Sequence, residues 1–260
     1  MKVKAVVSFV LTLLFILACS TAAFPAPDPT VISTPQPTET AIPTQSLNLT
    51  TITFSEEEQT PVYKITAEYP AIVESADPRA AAFNSLIQNL VMGEVNQFRS
   101  DTLQNTSNPP LTSGSFFDVR YSVTGQAGNF WSIKFDITGY SDGAAHPYHY
   151  SIPVNYNLEQ GREIALDEIF LPNSNYLQIV SEYCKAELST RDIGFDMSVQ
   201  GADPLPENYR RWNVSHDGLV ITFDEYQVAP YAAGSQVVAI AFSELERVIN
   251  RQGPVAPFLP

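Results

Sequence analysis

Against 28 acidic residues the sequence has only three histidines and two cysteines, and two stretches combine such side chains in a way that invites chemistry. Asp142, His146 and His149 lie together in the stretch Tyr140–Tyr150. On a strand, His146 and His149 would face opposite sides, and only a loop could turn both toward one ion. With no further ligand cluster nearby, neither a metal nor another cofactor is expected. The structural alternative is a tight turn, in which Gly143, Ala144 and Ala145 permit close backbone approach and His146-Pro147 fixes the start of a strand. The second place runs from Phe223 through Asp224, Glu225, Tyr226 and Gln227 to Pro230-Tyr231-Ala232-Ala233-Gly234. Here a turn of small residues carries a Tyr with an apolar ring and a polar tip, suited either to a packed corner or to a ligand surface. The pairs Asp167/Glu168 and Asp224/Glu225 are adjacent, so their side chains point apart and neither is a ready acid/base couple. Cys184 sits on an apolar helical stripe and reads as a small core residue rather than a nucleophile. The sequence contains no Gly-x-Ser-x-Gly, His-Glu-x-x-His, Ser-x-x-Lys or phosphate-loop pattern.

The blocks Tyr140–Pro147, Gln160–Glu163, Leu166–Phe170 and Phe223–Gly234 together resemble one family. It is the extracytoplasmic domain of unknown function of RsiV-type lysozyme-sensing anti-sigma factors, also found ahead of the catalytic domain of PdaC-type peptidoglycan deacetylases. The resemblance covers roughly the last three quarters of the chain. It implies an α+β fold of two similar halves packed as one unit. It also implies binding of lysozyme-like wall hydrolases or peptidoglycan fragments, with Asp142, His146, Tyr148, Tyr226, Tyr231 and Gly234 as ligand-binding candidates. Ile221-Thr222-Phe223-Asp224-Glu225 is similar to the Thr-Phe-Asp-Asp motif of polysaccharide deacetylases. Tyr226 stands where that motif has Gly, and no His follows His216 to complete a metal site. The chain is therefore expected not to be an enzyme.

The elements that must position these residues follow from periodicity. Tyr63, Ile65, Ala67 and Tyr69 alternate with polar residues as a half-buried strand closed by Pro70. Asp77-Pro78 caps a long amphipathic helix bearing Phe83, Leu86, Ile87, Leu90, Val91, Val95 and Phe98. Phe117–Val123 and Trp131–Ile137 alternate around Gly125–Gly128 as a hairpin. Ile152–Leu158 is a strand whose Pro153 argues for an edge. Leu166–Phe170 is a helical turn, a second helix runs from about Asn175 to Thr190, and Trp212–Phe223 forms another hairpin. Val237–Phe242 is apolar on both faces, which predicts a central strand. Ser243–Glu246 fits a capping box opening a last short helix. Antiparallel sheets with two main helices are expected, without βαβ winding.

The first residues place Lys2 and Lys4 before the apolar run Val6–Leu17, too short for a comfortable membrane span and ending Leu17-Ala18-Cys19. This resembles a bacterial lipobox, with Cys19 as the lipidated residue. Residues 1–18 are read as the signal peptide, and residues 19–50 as a Pro/Thr-rich disordered linker. Residues 51–250 are read as the folded domain, with halves 51–145 and 146–250, and 251–260 as a disordered tail. With Cys19 acylated, Cys184 has no intramolecular partner. The net charge of −14 across 260 residues disfavours nucleic acid and suits a basic protein such as lysozyme. No cytoplasmic segment precedes the apolar run, so a sigma factor is not expected as a partner. The reading is a cell-envelope lipoprotein, held to the extracytoplasmic face of the membrane by its lipid, with a binding or sensing domain. The alternatives are a wall-modifying enzyme with an unrecognised site and a purely structural envelope module.

Overall fold

A computed structural model describes residues 47–105, 113–196 and 199–259. The expected signal peptide, Cys19 and the linker up to residue 46 lie outside the described residues. Five strands, β1 (Leu49–Gln59), β2 (Val62–Ile72), β3 (Ser115–Ala127), β4 (Phe130–Tyr140) and β5 (Tyr148–Asn157), join the two-residue β6 (Arg162–Glu163) in one sheet of order β1-β2-β3-β4-β5-β6. Helix α1 (Pro78–Gln104) covers one face of it. Pro78 opens the helix, the Asp77 carboxylate accepts from the Arg79 N–H, and Phe83, Ile87, Val91, Val95 and Phe98 form the buried stripe. These meet Ile65, Phe117, Val119, Ile133, Phe135 and Ile137, the apolar positions of the alternating strands.

The opposite face carries a second layer. Strands β7 (Trp212–Val214), β8 (Gly218–Phe223) and β9 (Gln236–Ala241) form an antiparallel sheet of order β7-β8-β9. Helix α2 (Tyr176–Ser189) packs on it through Val180, Cys184 and Leu188. The α+β architecture with two main helices is as the sequence predicts. Burial pushes the Cys184 thiol up to about 12.

A buried polar network joins the two sheets. Asn155 and Ser132 alternate along β5 and β4 with the core residues that face α1, so they point the other way. Ser132 Oγ donates to Asn155 Oδ1 at 2.6 Å, and Asn155 Nδ2 donates to the Trp212 carbonyl at 2.8 Å. Asn213 Nδ2 and the Val214 N–H donate to Ser132 Oγ at 3.0 and 2.9 Å. Beside it, Gly125 sits at a register shift in β3, where a Cβ would come within 2.5 Å of the Val214 carbonyl. Only glycine lets β7 approach that closely.

Several expectations need correction. β2 and β3 are parallel, joined by α1 as a βαβ crossover, so the large sheet is mixed. β1 begins at Leu49, inside the stretch read as linker, because Leu49, Ile52 and Phe54 add to the edge of the core. β2 runs past Pro70 to Ile72, since Pro70 lies near the end of its pairing with β1. The boundary at 145/146 does not divide the layers: β5 and β6 continue the first sheet to Glu163. β9 is an edge strand with alternating burial, and the helical turn after it spans Phe242–Leu245 without a side-chain cap. Residues 251–259 are ordered, because Val255 and Phe258 cover the Phe130 end of the core, with the Phe258 and Phe130 rings edge-on at 5.7 Å.

One ion pair staples β1 to α1. Arg99 Nη2 lies 2.5 Å from Glu56 Oε2, and the Tyr63 hydroxyl donates to Glu56 Oε1 at 2.6 Å. The Arg99 and Tyr63 hydrogen bonds hold the Glu56 carboxyl below its ordinary range. A depressed folded pKa gives stability that is present above the unfolded value and lost as pH falls through the folded one. Glu56→Gln should therefore flatten the loss of stability below pH 4.5, the ordinary Glu value, as followed by urea melts across acid pH. A wild-type slope retained in the variant would assign that loss to other groups.

Candidate functional site

The seam between the two sheets carries the most chemically varied surface among the described residues. After β8 the chain turns at Asp224–Gln227. Gln227 Oε1 accepts from the Asp224 N–H at 3.3 Å, and its Nε2 donates to the Gly201 and Asn208 carbonyls, each at 3.0 Å. Gly201 must be glycine, because a Cβ there would lie 1.8 Å from the Gln227 carbonyl oxygen. Asp224 pairs with Arg211 and also accepts from the Ser151 N–H of β5 at 3.3 Å, which ties the turn to the large sheet. Tyr226 takes a left-handed backbone, φ 66°, uncommon for a bulky residue, and its ring is 65% exposed.

Tyr226 opens a stack. Its ring lies 5.6 Å from that of Tyr231, which lies 4.0 Å from the His146 ring at an interplanar angle of 30°. Tyr231 belongs to a single 3-10 turn, Tyr231–Ala233, ended by Gly234 at φ 66°. The Tyr231 hydroxyl donates to the Pro147 carbonyl at 3.0 Å, and the same carbonyl lies 2.8 Å from His146 Nδ1. A carbonyl only accepts, so Nδ1 carries the hydrogen. The Tyr231 phenol is held above its ordinary range, by burial among its neighbours and then by Glu225.

On one side of Tyr226 is a groove of about 370 Å³, lined by Glu207, Asn208, Arg210, Arg211 and Asp224–Gln227. Elsewhere on the seam, between β4–β5 and β8–β9, is a smaller cavity of about 110 Å³ whose lining includes Thr138, His149, Ser151, Thr222 and Ser235. Ser235 directly follows the Tyr231–Gly234 turn, and His149 lies two residues past Pro147.

Of the six candidates, the fold brings together His146, Tyr226 and Tyr231, with Gly234 closing the turn that presents Tyr231. Asp142 stands apart: its carboxylate accepts from the Gly114 N–H at 3.1 Å and its own N–H donates to Ser115 Oγ, pinning the start of β3. Tyr148 lies over Gly139 and stacks on Tyr150, on the side of the sheet that faces α1. The Gln160–Phe170 block is a clamp, in which Arg162 Nη2 meets Glu168 Oε2 at 2.6 Å and Glu168 Oε1 accepts from the Ala165 N–H. Among the described residues no group of three or more His, Cys, Asp or Glu is placed to hold a metal, and no helix is long and apolar enough to cross a membrane. Sequence reading passed over Arg211 and Ser151, and left Gln227 and Thr222 out of the ligand-binding candidates although both lie in stretches it singled out. The available signal was a polar residue interrupting an apolar strand, as Thr222 does between Ile221 and Phe223.

Comparison with known proteins places these residues in context. Residues 167–243 match a family described as "Protein of unknown function (DUF3298)". The chain is 28% identical over 172 residues to the peptidoglycan-N-acetylmuramic acid deacetylase PdaC of Bacillus subtilis, covering 65% of this chain and 36% of that protein. It is 28% identical over 94 residues to an esterase of Mycobacterium tuberculosis, covering 36% of this chain and 41% of the esterase. The chain thus spans well under half the length of either curated relative. A crystal structure of a DUF3298 family member from Bacteroides fragilis shares the fold, with a TM-score of 0.64 and 17% identity over 82% of this chain and 97% of that one. A DUF3298 family protein from Pseudomonas aeruginosa gives a TM-score of 0.55 and 11% identity over 78% and 95%. The expectation that the chain is not an enzyme is overturned, since both curated relatives are named as enzymes, one a deacetylase and one an esterase. Motif templates register sites written in contiguous sequence, whereas the polar groups that converge on this seam come from β4–β5, β8 and the segments after each sheet.

Proposed function

We propose that this domain binds peptidoglycan glycan in the bacterial envelope, outside the cytoplasmic membrane, with Cys19 as its lipid tether. The sugar chain lies along the seam groove and across the aromatic stack. The stack of His146, Tyr231 and Tyr226 carries the reading. Sugar rings present faces of C–H groups that pack on aromatic faces, while their hydroxyls reach polar tips at the rim. In the neutral ring His146 Nε2 can accept from such a hydroxyl. The groove beside Tyr226 falls in the volume range of small-ligand sites, roughly 300–1,000 Å³, and its lining supplies both charge signs and amide groups. The naming of one relative for a peptidoglycan deacetylase and of another for an esterase supports a substrate that bears acyl groups.

Calorimetry of the protein with N-acetylated glycan oligomers from peptidoglycan tests this. Tyr226→Ala should weaken binding by at least about tenfold, close to 1.4 kcal/mol. Its melting temperature should not move, because the ring is mostly exposed. Tyr231→Ala should weaken binding further and also lower the melting temperature, since its hydroxyl braces Pro147. Absence of a wild-type signal, or Tyr226→Ala binding like wild type, would overturn the reading.

A further inference from the structure

The small cavity on the seam contains two hydroxyls that the fold does not use. Ser151 is 3% exposed and Thr222 is 2% exposed, and both line the cavity. Neither Ser151 Oγ nor Thr222 Oγ1 has a hydrogen-bond partner among the described residues. Buried hydroxyls without partners are costly, and a fold that retains two on residues lining one space invites a ligand with matching polar atoms. At about 110 Å³ the space exceeds what one water needs and is too small for a whole sugar ring. Its charges are already matched: Lys134 Nζ pairs with Asp136 Oδ1 at 2.5 Å, and His149 Nδ1 is engaged with Thr138 Oγ1 at 2.9 Å. An anion would find no uncommitted lysine there, so the cavity suits a small neutral group with one donor and one acceptor.

We infer that this cavity is a subsite for the acetamido group of an N-acetylated amino sugar, an inference that rests on the glycan reading above. The acetamido carbonyl accepts from one of the two hydroxyls, and its N–H donates to the other. Two chain segments lead from the stack to the cavity lining: Ser235 follows the Tyr231 turn, and His149 follows His146-Pro147. On this inference a sugar on the stack places its acetamido group at Ser151 and Thr222. The seam thereby distinguishes acylated from deacylated glycan, the difference that a deacetylase creates.

Binding of N-acetylglucosamine oligomers and of glucosamine oligomers of equal length, measured side by side on the protein, tests the inference. Wild type should prefer the acetylated oligomer by at least about tenfold, because the deacylated one lacks the carbonyl and leaves the hydroxyl that donates to it unpaired in a space shaped for the acetyl group. Electrostatics alone predicts the reverse, since the free amine is cationic and the chain carries −14. Thr222→Val keeps shape and removes a hydroxyl; it should reduce the preference toward unity and leave the ligand-free melting temperature equal or higher. Ser151→Ala is the second variant and should act in the same direction. Equal wild-type binding of both oligomers, or a preference that survives both substitutions, overturns the subsite and leaves the glycan reading standing. Binding of neither oligomer overturns both.

Discussion

Phe83→Ala should lower the stability of the domain by about 3–5 kcal/mol, the range for emptying a fully buried aromatic position. Phe83 is 0% exposed near the N-terminal end of the α1 stripe. Its ring meets Trp131 edge-on at 5.2 Å and Tyr156 at 5.5 Å, one from β4 and one from β5. Removing it loses the burial of a large apolar side chain and two favourable ring contacts, and the rigid strands beneath cannot close the hole. With a total stability of about 5–15 kcal/mol for a typical domain, the variant loses a large share of its margin. Denaturant unfolding measures the change. A loss below about 1.5 kcal/mol, the scale of a tolerated apolar swap, would mean that α1 does not pack on this sheet as described.

Asn155→Ala should cost about 2–4 kcal/mol and uncouple the two layers. Asn155 is 4% exposed and bonds both to Ser132 on its own sheet and to the Trp212 backbone on the other. Truncation leaves a buried hydroxyl and a buried carbonyl without their partner, at roughly 1–3 kcal/mol each. The remaining members of the network then lose mutual support. Trp131 and Trp212 provide separate probes, the first in the α1 core and the second in the smaller sheet. Single-tryptophan versions of wild type should unfold coincidentally. In the Asn155→Ala background the Trp212 signal should change first. Wild-type stability in that variant would show that apolar contacts alone hold the layers together.

The elements were legible where periodicity and caps agreed. Asp77-Pro78 and the Phe83–Phe98 stripe placed α1, and the alternation across Phe117–Ile137 placed the β3–β4 hairpin. Expectation failed where tertiary partners decide. The acidic run Glu56-Glu57-Glu58 conceals β1, because that strand is an edge and only part of one face is buried. β9 looked central because Val237 is apolar, yet it is 43% exposed at the rim of its sheet. The parallel β2–β3 pairing depends on where the long helix returns the chain, and side-chain alternation carries no sign of direction. Within the site, the sequence pointed to His146, Tyr226 and Tyr231 through a family likeness, and the fold stacks them. Ser151 and Thr222 did not stand out, because a hydroxyl interrupting an apolar strand is a weak signal that any tolerated Thr or Ser also gives. What sets these two apart is their shared place in the lining of one cavity, which only packing creates.

The two rims of the large sheet have a bearing on how copies of the chain behave when crowded. A strand at a rim leaves backbone groups open, and another molecule can add there. Here each rim is obstructed differently. On β1, three consecutive glutamates would be brought against those of a second copy, and like charge opposes that pairing. On β5, the Ser151 N–H is taken by Asp224, Pro153 has no N–H to give, and the Asn155 carbonyl accepts from Ile164. The first obstruction is electrostatic and weakens in acid or high salt, while the second includes the missing N–H of Pro153 and a backbone hydrogen bond, which neither acid nor salt removes. Self-association at low pH should therefore propagate from the β1 rim, leaving the β5 side and the seam beside it open.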